Sequence, residues 1–417
     1  MSDAPELVLL TSAYPFGNKA ETFLETEIEV LAERFRRVHV LPSHRVPQVR
    51  PLPPNVELVE MEWLAEPSRG AKLRALGSAE ARSALRRTFG SRANRGPYMR
   101  GARFYLDNLA RNVLKLRSLK RWVSERGLAG AVFYDYWFEN STLALAMLRR
   151  SGAIRTAVSR IHRFDLYDDC WSTGVVPFRE VKAESLDAIF AISESGAAYL
   201  SRRIPGLAEK IGVQRLGVRD PGHGCPADPG AVPLIVTCAR LESQKCVHLV
   251  PGALAELRRP LRWIHFGDGP ERSRVEEEAS RLLAADGGPP VQWELRGQVD
   301  NREILAFYEA NHVDALLSLS SSEGLPVSMM EAQSYGIPVV ARGVGGVPEI
   351  VREGAGVLLP PRAGTSEAAA GLRTALEPGR FESDEVRALF KGRFEATANY
   401  SRFVDALVTI HEGASER

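Results

Sequence analysis

Long apolar runs are missing from this 417-residue sequence. None approaches the roughly 20 residues that cross a bilayer as a helix, so no membrane-spanning helix is expected. Cysteine is scarce. Cys170, Cys225, Cys238 and Cys246 show no Cys-x-x-Cys spacing, which argues against a zinc site and against a disulfide framework. A reducing compartment is then the default. An overall excess of one charge is also absent. The 54 Lys and Arg against 52 Asp and Glu leave a net of +2, which gives no global pull toward nucleic acid. Residues 1–6 carry no basic stretch, and Leu7–Leu10 is too short for a signal-peptide core. The expected location is cytoplasmic, with a peripheral address at the inner face of the membrane left open.

What is present is a globular composition, 44% hydrophobic and 25% charged, on a chain long enough for two domains. Short apolar runs alternate with helical stretches throughout, which indicates an α/β fold built on two doubly wound sheets. Leu7–Leu10, Val38–Leu41, Ala131–Phe133, Ala157–Ile161, Ala188–Ser193 and Ile211–Val213 read as strands of the first half. Leu234–Cys238, Trp263–Phe266, Val291–Leu295, Ala315–Leu319 and Val339–Ala341 read as strands of the second. The Pro- and Gly-rich stretch Pro221–Gly230 reads as the linker. The expected domains are 1–228 and 229–395.

Strand ends carry the chemistry in such sheets. The stretch around Ser322-Glu323-Gly324-Leu325-Pro326 leaves an apolar run and enters a helix expected over Pro326–Tyr335, with Gly336 just past its end. Glu323 sits in the loop and Glu331 inside the helix. A carboxylate beside a helix start that favours anions is suited to sugar or ribose hydroxyls. Arg240 and Lys245 share one strand-to-helix loop and could converge on a diphosphate. Gly297 and Val299 lie in a loop that could offer backbone groups to a base, and Gly345-Gly346 lets backbone approach a ligand. In the first half, Gly17 follows the first strand. Tyr136 sits at a strand end where it could stack on a sugar ring or pack in the core. His162 ends another strand with Asp165 three residues on, suited to orient the ring or to bind the acceptor. Glu21, Glu25, Glu27 and Glu29 read as surface charges of a helix.

One segment stands out. Residues 66–126 hold sixteen Lys and Arg against Glu66, Glu80, Asp107 and Glu125, a net of +12. Apolar residues recur at helical spacing among the arginines, which gives basic amphipathic helices. They are either solvated faces packed by their apolar side or a surface for anionic lipid or an anionic acceptor. No nucleic-acid fold signature accompanies them.

In order and content, Ala239-Arg240-Leu241…Lys245, Gly267-Asp268-Gly269-Pro270, Gly297-Gln298-Val299, Glu323-Gly324-Leu325-Pro326…Glu331 and Gly345-Gly346-Val347-Pro348-Glu349 resemble the retaining glycosyltransferases of family GT4. The carboxylate pair fits that family's E-x7-E motif. Tyr14-Pro15, Glu21-Thr22-Phe23-Leu24 and Arg160–Asp165 resemble its bacterial exopolysaccharide branch. Two departures stand out: Cys246 replaces the glycine usual after the lysine, and Gly17 is what remains of a Gly-Gly pair. The resemblance implies the GT-B fold, two Rossmann-like domains facing a central cleft, with a last helix over 396–417 returning to the first domain.

It further implies transfer of a sugar from a nucleotide diphosphate-sugar to a hydroxyl acceptor (a glycan, a lipid-linked glycan or a natural product) with retention and without cofactor or metal. Arg240 and Lys245 would hold the diphosphate and Glu331 the ribose. Glu323 with the amides of Gly324 and Leu325 would hold the sugar. Gly297 and Val299 would border the base. His162 would contact the donor, Gly17 would lie by donor and acceptor, and Tyr136 and Asp165 would face the acceptor. The rivals are another GT-B enzyme, a phosphorylase or sugar-nucleotide epimerase, and a non-catalytic glycan-binding protein.

Overall fold

The computed structural model describes residues 4–17, 21–90, 92–139, 141–227, 232–284 and 290–415. The chain divides into two compact units, Met1–Arg215 with Tyr400–Arg417, and Leu216–Asn399. The boundary expected at 228/229 falls on residues 228–231, outside the described ones. The residues before it already belong to the second unit. Arg387 and Lys391 both bond the Asp220 carboxylate there, and the Cys225 amide donates to the Tyr335 carbonyl.

Seven strands build the first unit: β1 Glu6–Thr11, β2 Arg37–Pro42, β3 Val56–Leu58, β4 Val132–Asp135, β5 Thr156–Ile161, β6 Ala188–Ala191 and β7 Ile211–Val213. They form one sheet in the order β3-β2-β1-β4-β5-β6-β7, and every pairing is parallel. β1 shows why. Leu7–Leu10 is an unbroken apolar run, buried on both faces, as a strand covered by helices on each side must be. The second unit has β8 Leu234–Cys238, β9 Leu261–Phe266, β10 Val291–Leu295, β11 Ala315–Ser318, β12 Val339–Arg342 and β13 Gly356–Leu359. Their order is β10-β9-β8-β11-β12-β13, again parallel. In each sheet the order reverses beside the first strand, between β1 and β4 and between β8 and β11. Ligands of doubly wound sheets bind beyond the strand ends at that reversal.

The basic segment is helical: Arg69–Leu76, Ala79–Gly90, Arg92–Arg100 and the long helix Ala102–Arg126, which ends at Gly127 with φ +67°. Tyr105, Leu109, Val113, Leu116, Leu119 and Val123 of the long helix enter the core of the first unit. These helices are therefore part of that unit, packed by the apolar side.

Two helix-surface charges of the sequence reading are corrected. The first helix starts at Leu24 rather than Glu21. Glu21 lies before it with φ +53°. Its carboxylate accepts the backbone N–H groups of Ser12, Ala13 and Tyr14 at 2.6–3.0 Å and the indole N–H of Trp137 at 2.5 Å. It ties the loop after β1 to the loop after β4. Glu27 is fully buried and pairs with the equally buried Arg160, while the Tyr134 hydroxyl donates to it at 3.1 Å.

Around Arg160 stand four aromatic rings, with Phe403 nearest at 4.1 Å and Tyr400 at 5.9 Å. Both of these come from the helix Ala396–Ser415. His411 of the same helix bonds Thr156 of β5 at 2.9 Å.

Among the described residues no helix is long and apolar enough to cross a membrane.

Candidate functional site

In the second unit the loops after β8 and β11 are the pair that flanks the reversal, and they are stitched together. The Ser321 amide and hydroxyl both donate to the Gln244 carbonyl, at 2.8 and 3.1 Å. This lock brings Lys245 to Glu323. Their Nζ–Oε1 distance is 2.7 Å, with the lysine side chain 21% and the glutamate side chain 8% exposed. A charge-assisted bond in so restricted a space fixes both groups.

Cys246 follows with φ +49°, a left-handed position that costs a side-chain-bearing residue about 1 kcal/mol or more. That backbone explains the glycine expected there by resemblance.

The Gly-rich loop after β12 closes on the same point. The Gly346 amide donates to the Gly324 carbonyl at 2.8 Å. Gly345 takes φ +53°, and a Cβ there would lie 1.8 Å from the Glu323 carbonyl oxygen. Only glycine permits this approach.

The helix after Glu323 runs Val327–Ser334, shorter than expected. Pro326 caps it in an extended conformation, ψ 114°, instead of forming its first turn. Gly336 ends the turn with φ +77° as expected. From Met329 on the helix is buried, so Glu331 is a carboxyl held in the interior. Burial raises it to about 7, against a bond from the Asn301 side chain that lowers it. That bond, Nδ2 to Oε1, is 3.0 Å. Asn301 is the first residue of the helix Asn301–Ala310, which Asp300 caps with Glu303 in a capping box. Sequence reading missed Asn301, because nothing in its local sequence marks it as the partner of Glu331.

Arg240 does not join Lys245. Its Nε faces Glu242 at 2.7 Å, and its side chain is 69% exposed. The two cations of this loop are thus each occupied by a carboxylate and do not converge. Gly297 lies beyond β10 with φ +71°, and its carbonyl accepts the Gly267 amide at 2.9 Å. Val299 accepts a long 3.5 Å bond from the Gln298 side chain. Leu325 is buried behind the Glu323 loop. His265, fully buried, bonds Thr237 at 2.7 Å, and burial lowers it to about 4. It is a neutral core histidine.

In the first unit the residues named from sequence gather beyond β1, β4 and β5. His162 is 6% exposed, held between Trp137 and Tyr136 with ring centroids at 4.2 and 4.9 Å. Neither ring nitrogen has a hydrogen-bond partner, and Asp165 stands 3.9 Å from Nδ1, too far for a bond. Buried nitrogens without partners mark a place where a ligand could supply them.

Asp165 is engaged elsewhere. It accepts the His162 and Phe138 amides, both at 2.6 Å, and is fully buried. Tyr136 too is fully buried, stacked on Phe23 at 5.4 Å. The expectation that Tyr136 and Asp165 face the acceptor is therefore corrected: both are walls behind His162. Gly17 takes φ +70°, its amide bonding the Gln48 carbonyl at 3.0 Å and its carbonyl accepting from Arg50 at 2.5 Å.

Sequence reading also missed Glu139, which burial raises to about 7, and Lys115, which burial lowers to about 8. Nothing in their local sequence marks them, because the long helix brings Lys115 in from elsewhere in the chain. Among the described residues no group of three or more His, Cys, Asp or Glu side chains could hold a metal ion.

Residues 227–384 match the family described as glycosyl transferases group 1. The WcaL protein of Salmonella typhimurium, described as a colanic acid biosynthesis glycosyltransferase, is 27% identical over 63% of this chain and 64% of its own length. The amylovoran biosynthesis glycosyltransferase AmsK of Erwinia amylovora is 26% identical over 47% of this chain and 49% of its own. The chain thus spans half to two thirds of the length of these relatives.

Among solved structures, the lipopolysaccharide outer core galactosyltransferase WaaB superposes with TM-score 0.69 at 16% identity, covering 97% of this chain and 99% of that one. HepE of Anabaena in complex with UDP-glucose gives 0.62 at 17%, covering 97% and 100%. The match of residues 227–384, these relatives and the two reversed parallel sheets agree: the chain has the GT-B fold, and most of its second unit is similar to the group 1, GT4-type glycosyl transferases.

Proposed function

We propose that this chain moves a sugar from a nucleotide diphosphate-sugar to a hydroxyl acceptor, with retention of configuration. The observation that carries this is the Lys245–Glu323 pair at the reversal of the second sheet, with the buried Glu331 on the adjoining helix. Lys245 is placed to meet the donor diphosphate and stabilise it as it leaves. Arg240 is exposed and on the same loop, free to swing from Glu242 to the same group. No metal is needed for this neutralisation. Glu323 and the amides beside it would take the sugar hydroxyls, and Glu331 the ribose. The bound UDP and UDP-glucose of the HepE structures support a nucleotide-sugar donor.

Attack from the face the leaving group vacates lets the departing phosphate accept the acceptor proton, so no protein carboxylate need be the base. Incubation with donor alone separates the epimerase reading, because an epimerase converts the donor with no acceptor present.

The test uses the Glu331 carboxyl. Held up at about 7, it keeps its proton below that pH. Ionised, it accepts from both ribose hydroxyls, and those donors favour the ionised form. Affinity for UDP-glucose should rise between pH 6 and pH 8, by up to about tenfold per pH unit below the carboxyl's pKa. Glu331→Gln should flatten the profile. Calorimetry reads both, and a flat wild-type profile overturns the ribose assignment. The folding sign is opposite. The unfolded chain ionises first, so this group costs stability as pH rises from 4.5 toward 7, and Glu331→Gln should melt higher than wild type at pH 8.

The finer partner reading is peripheral contact of the basic segment with an anionic membrane, supported by its +12 charge. Flotation with anionic vesicles should show association at low ionic strength and its loss in salt. No association at low ionic strength removes that reading.

A further inference from the structure

Among the described residues one hydrogen-bond donor reaches the buried Glu331 carboxyl, the Asn301 side chain, with Nδ2 3.0 Å from Oε1. The bond crosses from the helix Asn301–Ala310 to the helix Val327–Ser334. The titratable groups around the carboxyl are Cys238 at the end of β8, Tyr308 of the Asn301 helix and Tyr335 at the end of the Glu331 helix. Burial raises all three, and the Glu331 charge adds to it. None of them is a cation. The Tyr308 hydroxyl, fully buried, has no hydrogen-bond partner, and Lys245 is held by Glu323 instead. The orientation of the Glu331 carboxyl therefore rests on Asn301.

Asn301 is itself held in place by what precedes it. Asp300 caps its helix and accepts the Arg302 amide at 2.9 Å. Val299 stands two residues before Asn301, in the loop whose Gly297 carbonyl is tied to the end of β9 by the Gly267 amide at 2.9 Å. One side chain thus joins the loop after β10 to a carboxyl on the helix after β11. An amide nitrogen can only donate. Aimed at Oε1 it opposes a proton there and stops the carboxyl from turning, which leaves Oε2 to accept from a ligand. Two neighbouring ribose hydroxyls need such a carboxylate, fixed and ionised; one that turns or carries a proton accepts less well.

We propose that Asn301 is the positioning residue of the nucleotide site: it fixes the Glu331 carboxylate in the orientation that accepts the ribose hydroxyls, and it ties that orientation to the loop 297–299 beside the base. This rests on the ribose reading of Glu331 and adds the residue through which that carboxylate is set.

The test is calorimetry on the full chain with UDP, or with GDP if wild type binds that more tightly, against the 2′-deoxy form of the same nucleotide. Wild type should prefer the ribose form by about tenfold or more, the worth of a hydrogen bond to a charged group. Asn301→Leu keeps nearly the same shape and removes the donor. Its preference for ribose at pH 7 should fall below about threefold, and the rise of its affinity with pH should move upward by about one pH unit, because the bond that favoured the ionised carboxyl is gone. Asn301→Ala should do the same, and keeps the test standing should the leucine variant fold poorly. Added to Glu331→Gln, Asn301→Leu should change affinity by less than about threefold, since the two residues act as one unit. Both single variants should melt within a few degrees of wild type, as a first-turn position in a helix allows.

A wild-type preference for ribose that survives both single variants with its pH profile unmoved overturns the inference alone. So does an equal loss for the ribose and 2′-deoxy forms with no shift in pH, which marks a merely structural residue. Wild type that binds both forms alike, or neither nucleotide, overturns the ribose reading and this inference with it.

Discussion

Replacing Lys245 with alanine should lower turnover about 10²–10³-fold while leaving the fold nearly as stable as before. The first half follows from position. Lys245 Nζ is held 2.7 Å from Glu323 in a part-buried pocket, where a fixed cation opposite a leaving diphosphate acts without reorganisation. Removal of one such stabilising group from an enzyme costs about this much. The second half follows from exposure. With the lysine side chain 21% and the glutamate side chain 8% exposed, removing the lysine leaves a part-buried carboxylate without its partner at the edge of water, which costs about 1–2 kcal/mol, so the melting temperature should fall by a few degrees only.

Release of nucleoside diphosphate from whichever nucleotide sugar stabilises the protein best reads turnover, and thermal melting reads stability. Lys245→Arg should recover part of the rate. Turnover within threefold of wild type in Lys245→Ala would falsify the assignment. A melting temperature lowered by 10 °C or more would mean that the pair is structural first.

Arg160 has the reverse profile. It is fully buried, paired with the fully buried Glu27 and ringed by Tyr134, Tyr136, Tyr400 and Phe403. Glu27→Ala leaves a guanidinium in the interior with its carboxylate gone. Breaking one side of a buried pair costs about 3–5 kcal/mol, which in a unit of this size lowers its melting by about 10 °C. Glu27→Leu with Arg160→Met should recover much of that loss, since the same site then holds only apolar groups. Chemical denaturation of the three proteins reads it. A single variant that loses under 1 kcal/mol, or a double variant as unstable as the single, would contradict the buried-pair account.

The sheets were legible in the sequence because parallel strands announce themselves as apolar runs. Leu234–Cys238 and Val291–Leu295 are strands over the expected residues. The strands that escaped notice, Val56–Leu58 and Gly356–Leu359, are short edges of the sheets with partly exposed side chains. Glu323 and Glu331 were legible because their spacing and the glycines around them are local features.

What could not be read was the partner of each charge. Glu21 and Glu29 sit eight positions apart in one run, yet Glu21 is locked under four N–H donors. No periodicity reports that, because its partners arrive by tertiary folding. Arg240 and Lys245 looked alike in the loop. The bonds from Ser321 to the Gln244 carbonyl, from another strand end, separate their roles.

The rings that Tyr400 and Phe403 place on Arg160 have a consequence for biosynthesis. A chain leaving the ribosome makes all seven strands of the first sheet by Val213, yet lacks two walls of the Arg160 site for nearly two hundred residues more. Meanwhile the second unit, contiguous from Leu216 to Asn399, can emerge and fold as one piece. The unit that begins the chain is thus the last to be completed, and an interrupted product ending before Tyr400 would carry a finished second unit beside an open first one.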